Sequence, residues 1–253
     1  MSNKNKDRKI RLDVALCIQK LASSIEEAKI KILSGKVLSE GRKYDKPSQL
    51  VSTDIKLSIK KPKSKYVSRG GDKLYSVIKG LNLESILKNK VVLDIGSSTG
   101  GFTDCLLSFD VKKVIAIDVG YNQFSWSLRK HEKVVCLEKT DIRDFCSNNY
   151  EEIHFIVADI SFNSLSRLSK AITEASAYKN LHLLLLVKPQ FELKREDIPY
   201  KGVVEDEELQ KKAIKSVVDS FFEKGFCLQK EFASLTKGRR GNQEFFVLLK
   251  RKI

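Results

Sequence analysis

Beyond residue 89 the chain alternates short apolar runs with stretches of helical spacing. Runs of strand length fall at 91–96, 113–118, 134–139, 154–160, 181–187, 226–234 and 243–249. Helical stretches separate the first six. Such alternation predicts a mostly parallel sheet, because parallel neighbours need a long crossover. Residues 235–242 permit an antiparallel hairpin between the last two strands but no crossover helix. The first third reads differently. Leu12, Ala15, Leu16 and Leu21 have helical spacing over 11–21. A second helix starts at Ser24, where Ser24-Ile25-Glu26-Glu27 has the form of a capping box, and Gly35 suits its C-terminal cap. Lys29 and Lys36, seven apart, fall on one face of it. Short strands are expected around 37–38 and 54–59. This makes a small α+β module over 9–59, after a polar tail at 1–8 that reads as disordered. A charged linker spans 60–67, and an amphipathic helix through Leu74, Val77, Ile78 and Leu81 opens a larger α/β domain over 68–253.

Charge changes this picture more than composition does. The net charge is +15. Residues 1–88 hold 21 Lys and Arg against 9 Asp and Glu, so +12 of the surplus sits there. A polyanion bound by the first module is the natural reading. No apolar run approaches the ~18 residues of a membrane span, and the charged start is not a secretory signal. The five cysteines (Cys17, Cys105, Cys136, Cys146, Cys227) are odd in number and lack a Cys-x-x-Cys pair. They argue against a disulfide framework or a metal site, and for a cytoplasmic protein.

Two sets of residues carry chemistry. The first is the segment Asp94-Ile95-Gly96-Ser97-Ser98-Thr99-Gly100-Gly101-Phe102-Thr103, where a buried strand ends in a glycine turn and enters a helix. Glycines let a ligand approach the backbone at a strand's carboxyl end. The next strand ends in Asp118, followed by Val119, where an acid can hold both hydroxyls of a ribose. The glycine spacing suits S-adenosylmethionine, which has no phosphate, better than a dinucleotide. Asp141, after the third strand, is a candidate for the adenine amino group or a plain turn residue. The second set is dispersed: Lys73, Asp159, Lys188 and Glu244. Asp159 and Lys188 end the fourth and fifth strands, and Glu244 begins the reversed seventh, so topology gathers them at one edge. Six strands in βα alternation plus an antiparallel seventh make the class I, Rossmann-like methyltransferase arrangement.

The chain resembles the TlyA family of ribosomal RNA 2′-O-methyltransferases, called haemolysin A-like in older usage. The resemblance rests on Arg11-Leu12-Asp13, Tyr66-Val67-Ser68-Arg69-Gly70-Gly71, the glycine turn, Ala116-Ile117-Asp118-Val119-Gly120-Tyr121, Val187-Lys188-Pro189-Gln190-Phe191-Glu192, Lys201-Gly202-Val203-Val204 and Gly241-Asn242-Gln243-Glu244-Phe245. It implies an S4 RNA-binding domain ahead of an FtsJ-type catalytic domain. It also implies S-adenosylmethionine as cofactor and a ribose 2′-hydroxyl, on cytidine, as the methyl acceptor. The family's Lys-Asp-Lys-Glu tetrad carries over onto Lys73, Asp159, Lys188 and Glu244. Asp159 also counts with the cofactor residues. A lysine removes a proton only when neutral and otherwise orients the hydroxyl, and both roles stay open for Lys188 here. S4 modules read RNA shape and phosphates, which makes Arg11, Lys29, Lys31 and Lys36 contact candidates, with Arg69 near the active-site mouth. Ribosomal subunits are the expected partners, with no obligate protein partner. Two rivals are a membrane-active haemolysin and a catalytically inactive, RNA-binding assembly factor. The intact tetrad and glycine turn speak against the second.

Overall fold

The computed structural model describes residues 8–60, 64–238 and 240–252. The tail expected at 1–8, apart from Arg8, and the centre of the expected linker lie outside the described residues. The chain divides into two compact units, residues 1–63 and 64–253.

The first unit runs β1 (Lys9–Arg11), α1 (Leu12–Ile18), α2 (Ile25–Leu33), β2 (Val37–Ser39), β3 (Arg42–Tyr44), β4 (Leu50–Ser52) and β5 (Ser58–Ile59). β1 pairs with β4, and β3-β2-β5 form a second antiparallel sheet. Leu12, Leu16, Ala28, Ile32 and Val37 fill the core. Ser24 caps α2 as its sequence predicts, its Oγ accepting from Glu27 N at 3.1 Å. The Glu27 carboxylate turns instead to Ser23 N and Oγ, both at 2.6 Å. α2 stops at Leu33 and Gly35 takes a φ of +65°. Lys36 therefore lies past the helix end, and the expected shared face with Lys29 does not form. Strands β1, β3 and β4 are only three residues long, too short to leave a periodic signal.

The second unit runs α3 (Arg69–Gly80), α4 (Glu84–Leu87), β6 (Val91–Ile95), α5 (Gly101–Leu107), β7 (Lys113–Asp118), α6 (Trp126–Arg129), β8 (Val134–Glu138), β9 (Phe155–Ala158), α7 (Leu165–Glu174), β10 (His182–Val187), α8 (Pro189–Glu192), α9 (Glu207–Phe222), β11 (Phe226–Ala233) and β12 (Phe245–Arg251). All seven expected strands form, with ends within two residues. The sheet order is β11-β12-β10-β9-β6-β7-β8. β6 to β10 are parallel, and β12 is antiparallel to both its neighbours. Alternate residues feed two cores. Leu93, Ile115 and Leu183 face α7 and α9. Val92, Val114 and Leu184 face α3 and α5 with Phe102 and Phe246. Every residue of β6 is buried, as a parallel strand covered on both faces requires. β6 and β9 are neighbours, and from them the strands run outward in opposite directions. This is the switch point where the carboxyl edge of such a sheet opens a crevice.

Candidate active site

The glycine turn sits at that switch point. Gly96 N donates to Ile117 O at 2.9 Å. Its φ is +77°, and a Cβ there would stand 2.6 Å from Asp159 O. Only glycine lets the ends of β6 and β9 come this close. Gly100, at φ +92°, caps α5. Ser97 is buried, while Ser98 and Thr99 are exposed. Asp118 accepts from Ser98 N at 2.7 Å and Gly120 N at 2.6 Å, fixing the turn against β7. Val119 beside it is exposed. Asp94 is fully buried. Its Oδ2 accepts from Thr103 Oγ1 at 2.6 Å, while its Oδ1 has no hydrogen-bond partner. Burial, and secondarily Asp159 and Asp118, push its carboxyl up to about 7 against the Thr103 hydrogen bond.

Two expected cofactor residues have side-chain partners within the protein. The Phe102 side chain belongs to the core, where its ring stacks with Phe246 at 6.1 Å, because α5 turns that position onto the sheet. Asp141 is engaged by Arg143, whose Nε and Nη2 approach its two oxygens at 2.9 and 2.7 Å. That guanidinium hydrogen bond holds Asp141 below the ordinary carboxylate range.

The four dispersed charges gather as two ion pairs. Lys188 Nζ stands 2.6 Å from Asp159 Oδ1 and donates to Ser161 Oγ at 2.8 Å. Lys73 Nζ stands 2.5 Å from Glu244 Oε2. Val187 pairs with Phe245 across β10 and β12, so Lys188 and Glu244 leave adjacent strands side by side. Asp159 follows Ala158, the last residue of neighbouring β9. Lys73 comes from α3, whose Leu74, Val77 and Ile78 anchor it on the same sheet face as Phe246. Lys188 and Glu244 are buried, and a buried charge is stable only when paired.

Three features of this edge escape the sequence reading. Glu192 accepts from Leu165 N and Ser164 Oγ, both at 2.7 Å, and from Ser166 Oγ at 3.1 Å. It thereby caps α7 and ties the loop after Asp159 to the segment after Lys188. Phe162 in that loop is 93% exposed with a φ of +65°, an uncommon conformation for an aromatic residue. Its ring lies 5.6 Å from that of Phe191. An apolar residue inside the polar run Ser161-Phe162-Asn163-Ser164 is the signal that marks it. Glu138 accepts from Gln123 N, Phe124 N and Arg129, shaping the loop after Asp118.

In the first unit, Lys29 and Lys36 are exposed. Arg11 is committed to buried Asp13 through hydrogen bonds of 3.1 and 2.6 Å. Lys31 is tied to Leu21 O at 2.7 Å and Glu27 at 2.6 Å. Arg69 is exposed at the start of α3.

An antiparallel strand slipped between the fifth and sixth, with a glycine turn after the first, defines a class I methyltransferase fold. The chain belongs to the FtsJ-like methyltransferases, matching that family over residues 66–251, and it carries an S4 domain over 10–54. It is 34% identical to the 16S/23S rRNA (cytidine-2′-O)-methyltransferase TlyA of Mycobacterium tuberculosis, over 96% of this chain and 90% of that one. It is also 34% identical to hemolysin A of Brachyspira hyodysenteriae, over 94% and 98%. A solved hemolysin-like structure from Streptococcus thermophilus superposes with a TM-score of 0.72 at 34% identity, covering 96% of this chain and 89% of that one. Among the described residues, no helix is long and apolar enough to cross a membrane.

Proposed function

We propose that this chain transfers a methyl group from S-adenosylmethionine to a ribose 2′-hydroxyl of ribosomal RNA in the cytoplasm, with cytidine as the nucleoside. The observation that carries the reading is the two lysine–carboxylate contacts, each with one buried partner, at the sheet edge that holds the glycine turn. The residues present fit the cofactor. Asp94 Oδ1 is a buried acceptor without a partner, suited to a cationic amino group. Gly96 and Gly100, both at positive φ, let the turn close tightly at the end of β6 against Asp159 and Leu128. Asp94 and the 96–100 turn would hold the amino-acid part, and Asp118 with Val119 the ribose. Bound S-adenosylmethionine supplies an electrophilic methyl group, which leaves the protein alignment and proton removal. Lys188, steadied by Asp159 and Ser161, orients the hydroxyl oxygen with an ammonium hydrogen. With Lys188 as ammonium, the departing proton passes to the carboxylate of its partner Asp159. Lys73 and Glu244 wall the other side.

Labelled S-adenosylmethionine with purified ribosomal subunits tests this, and the label should appear at a ribose 2′-oxygen. Lysis of membranes without RNA methylation would sink the reading.

Two further results are expected. Phe162, held out into solvent beside Phe191, offers a base a stacking surface worth roughly 1–3 kcal/mol. Phe162→Ala should therefore lower kcat/KM for RNA by about 10- to 100-fold at unchanged melting temperature. An unaltered kcat/KM would remove the ring from the substrate path. Reversing Lys29 and Lys36 to Glu should weaken RNA binding and flatten the slope of log affinity against log salt by about 1.4–1.8. An unchanged slope would place the polyanion elsewhere.

A further inference from the structure

We infer that Asn242 positions Glu244 against Lys73 by clipping residues 202–204 to the loop that walls the Glu244 carboxylate. This rests on the reading that the Lys73–Glu244 pair belongs to the active site.

The ladder between β10 and β12 begins at Phe245, so Glu244 stands just outside it. Its backbone is closed by Ser234 N, donating to Glu244 O at 2.9 Å, and by Gln243 Nε2, which bonds both Ser234 O and Glu244 O. Its side chain needs walls as well. Oε2 meets Lys73. Beside Oε1 lies Gly238, so close that a Cβ there would overlap that oxygen. Gly238 is held in place by its N–H, which donates to Asn242 O at 2.9 Å.

Asn242 is itself 1% exposed. Its Oδ1 accepts from Val204 N, and its Nδ2 donates to Gly202 O, both at 2.8 Å. One buried amide thus uses its acceptor and its donor on the same three-residue segment. Neither a carboxylate nor an apolar side chain makes both bonds, and a buried polar group left unpaired costs more than the bond it replaces. Gln210 Nε2 also holds that segment, at Val204 O (2.9 Å), but from α9, whereas Asn242 also accepts the Gly238 N–H through its own carbonyl. The two loops that Asn242 joins carry exposed Lys201 and Lys237. The clip therefore links a basic outer surface to the buried carboxylate.

The test uses full-length protein with Asn242→Ala, Asn242→Asp and Gln210→Ala. Steady-state methyl transfer to ribosomal subunits is followed together with melting temperature. The rate at which an amine reagent acetylates Lys73 is read by mass spectrometry. Asn242→Ala should lower kcat by about 30- to 100-fold, the scale of a small misplacement of a reacting group. KM for RNA and the cofactor Kd should stay within about threefold of wild type. Lys73 should become several-fold more reactive. Asn242→Asp, which keeps the acceptor but loses the donor, should fall between, and it carries the test if the alanine protein does not fold. Gln210→Ala should lower the melting temperature yet keep kcat within about twofold. Unchanged kcat and Lys73 reactivity in the Asn242 variants, or an equal kcat loss in Gln210→Ala, overturns the inference. If wild type methylates no RNA but Lys73 is protected only while Asn242 is present, the inference stands and the proposed reaction falls.

Discussion

A Lys188→Ala protein is expected to transfer methyl groups about 10³-fold more slowly than wild type while binding S-adenosylmethionine within about threefold. General acid–base and electrostatic contributions of this kind are worth roughly 10²–10⁴ in rate. Lys188 is the one of the four charges that makes three directed contacts, to Asp159, to Ser161 and over the Phe191 ring at 5.8 Å. Its removal deletes the donor that orients the hydroxyl and leaves Asp159 without its counter-charge. Loss of one partner of a buried pair also costs stability, up to ~3–5 kcal/mol for full burial. Asp159 is partly exposed, so solvent reduces that cost. Lys188→Met, which keeps the stem packed, should be as inactive as the alanine protein but more stable. A Lys188→Met enzyme with more than a tenth of wild-type kcat would show that the ammonium is dispensable.

An Asp94→Asn protein is expected to bind S-adenosylmethionine about 10- to 100-fold more weakly and to show a flatter pH dependence of stability. A hydrogen bond to a charged group is worth roughly 1.5–3 kcal/mol, and Asp94 Oδ1 is the unpartnered buried oxygen of the turn. The stability effect follows from its carboxyl, pushed up to about 7 mainly by burial. An unfolded aspartate releases its proton near ~4. Between those values the folded protein holds a proton that the unfolded chain has lost, so stability falls as pH rises through the window. The penalty is absent below it and complete above about 7, with a ceiling of roughly 4 kcal/mol. Asp94→Asn cannot ionise, so its melting temperature should decline less than that of wild type between pH 5 and 8. Parallel melting curves across that range would refute the buried-acid account, and unchanged cofactor affinity would remove Asp94 from the binding site.

The catalytic half is legible in the sequence because its signals are long. Seven apolar runs mark the strands to within two residues, and the same runs put Asp94, Asp159 and Lys188 at or beside strand ends. The position of β12 is not legible, since an eight-residue loop allows a hairpin without saying which edge the strand joins. The direction of the Phe102 ring is not legible either, because the motif gives position along the chain, whereas the turn of α5 packs the ring into the core. The first unit is hardest. Three-residue strands carry no period, and the commitment of Arg11 to Asp13, two residues on, is a local pairing that a charge count does not register. Glu192 and Asn242 lie within recognisable motifs without roles, because their partners are 26 to 40 residues away.

The insertion of β12 between β10 and β11 has a consequence for biosynthesis. Translation delivers β12 after every other strand of the sheet, yet it lies inside the sheet and is preceded by Glu244. Until residues 245–251 emerge from the ribosome, β10 has an open edge of unpaired backbone groups, the kind of surface that invites wrong pairing. The catalytic constellation is therefore completed in one late step, and a nascent chain stalled before residue 244 has neither a closed sheet nor the partner of Lys73.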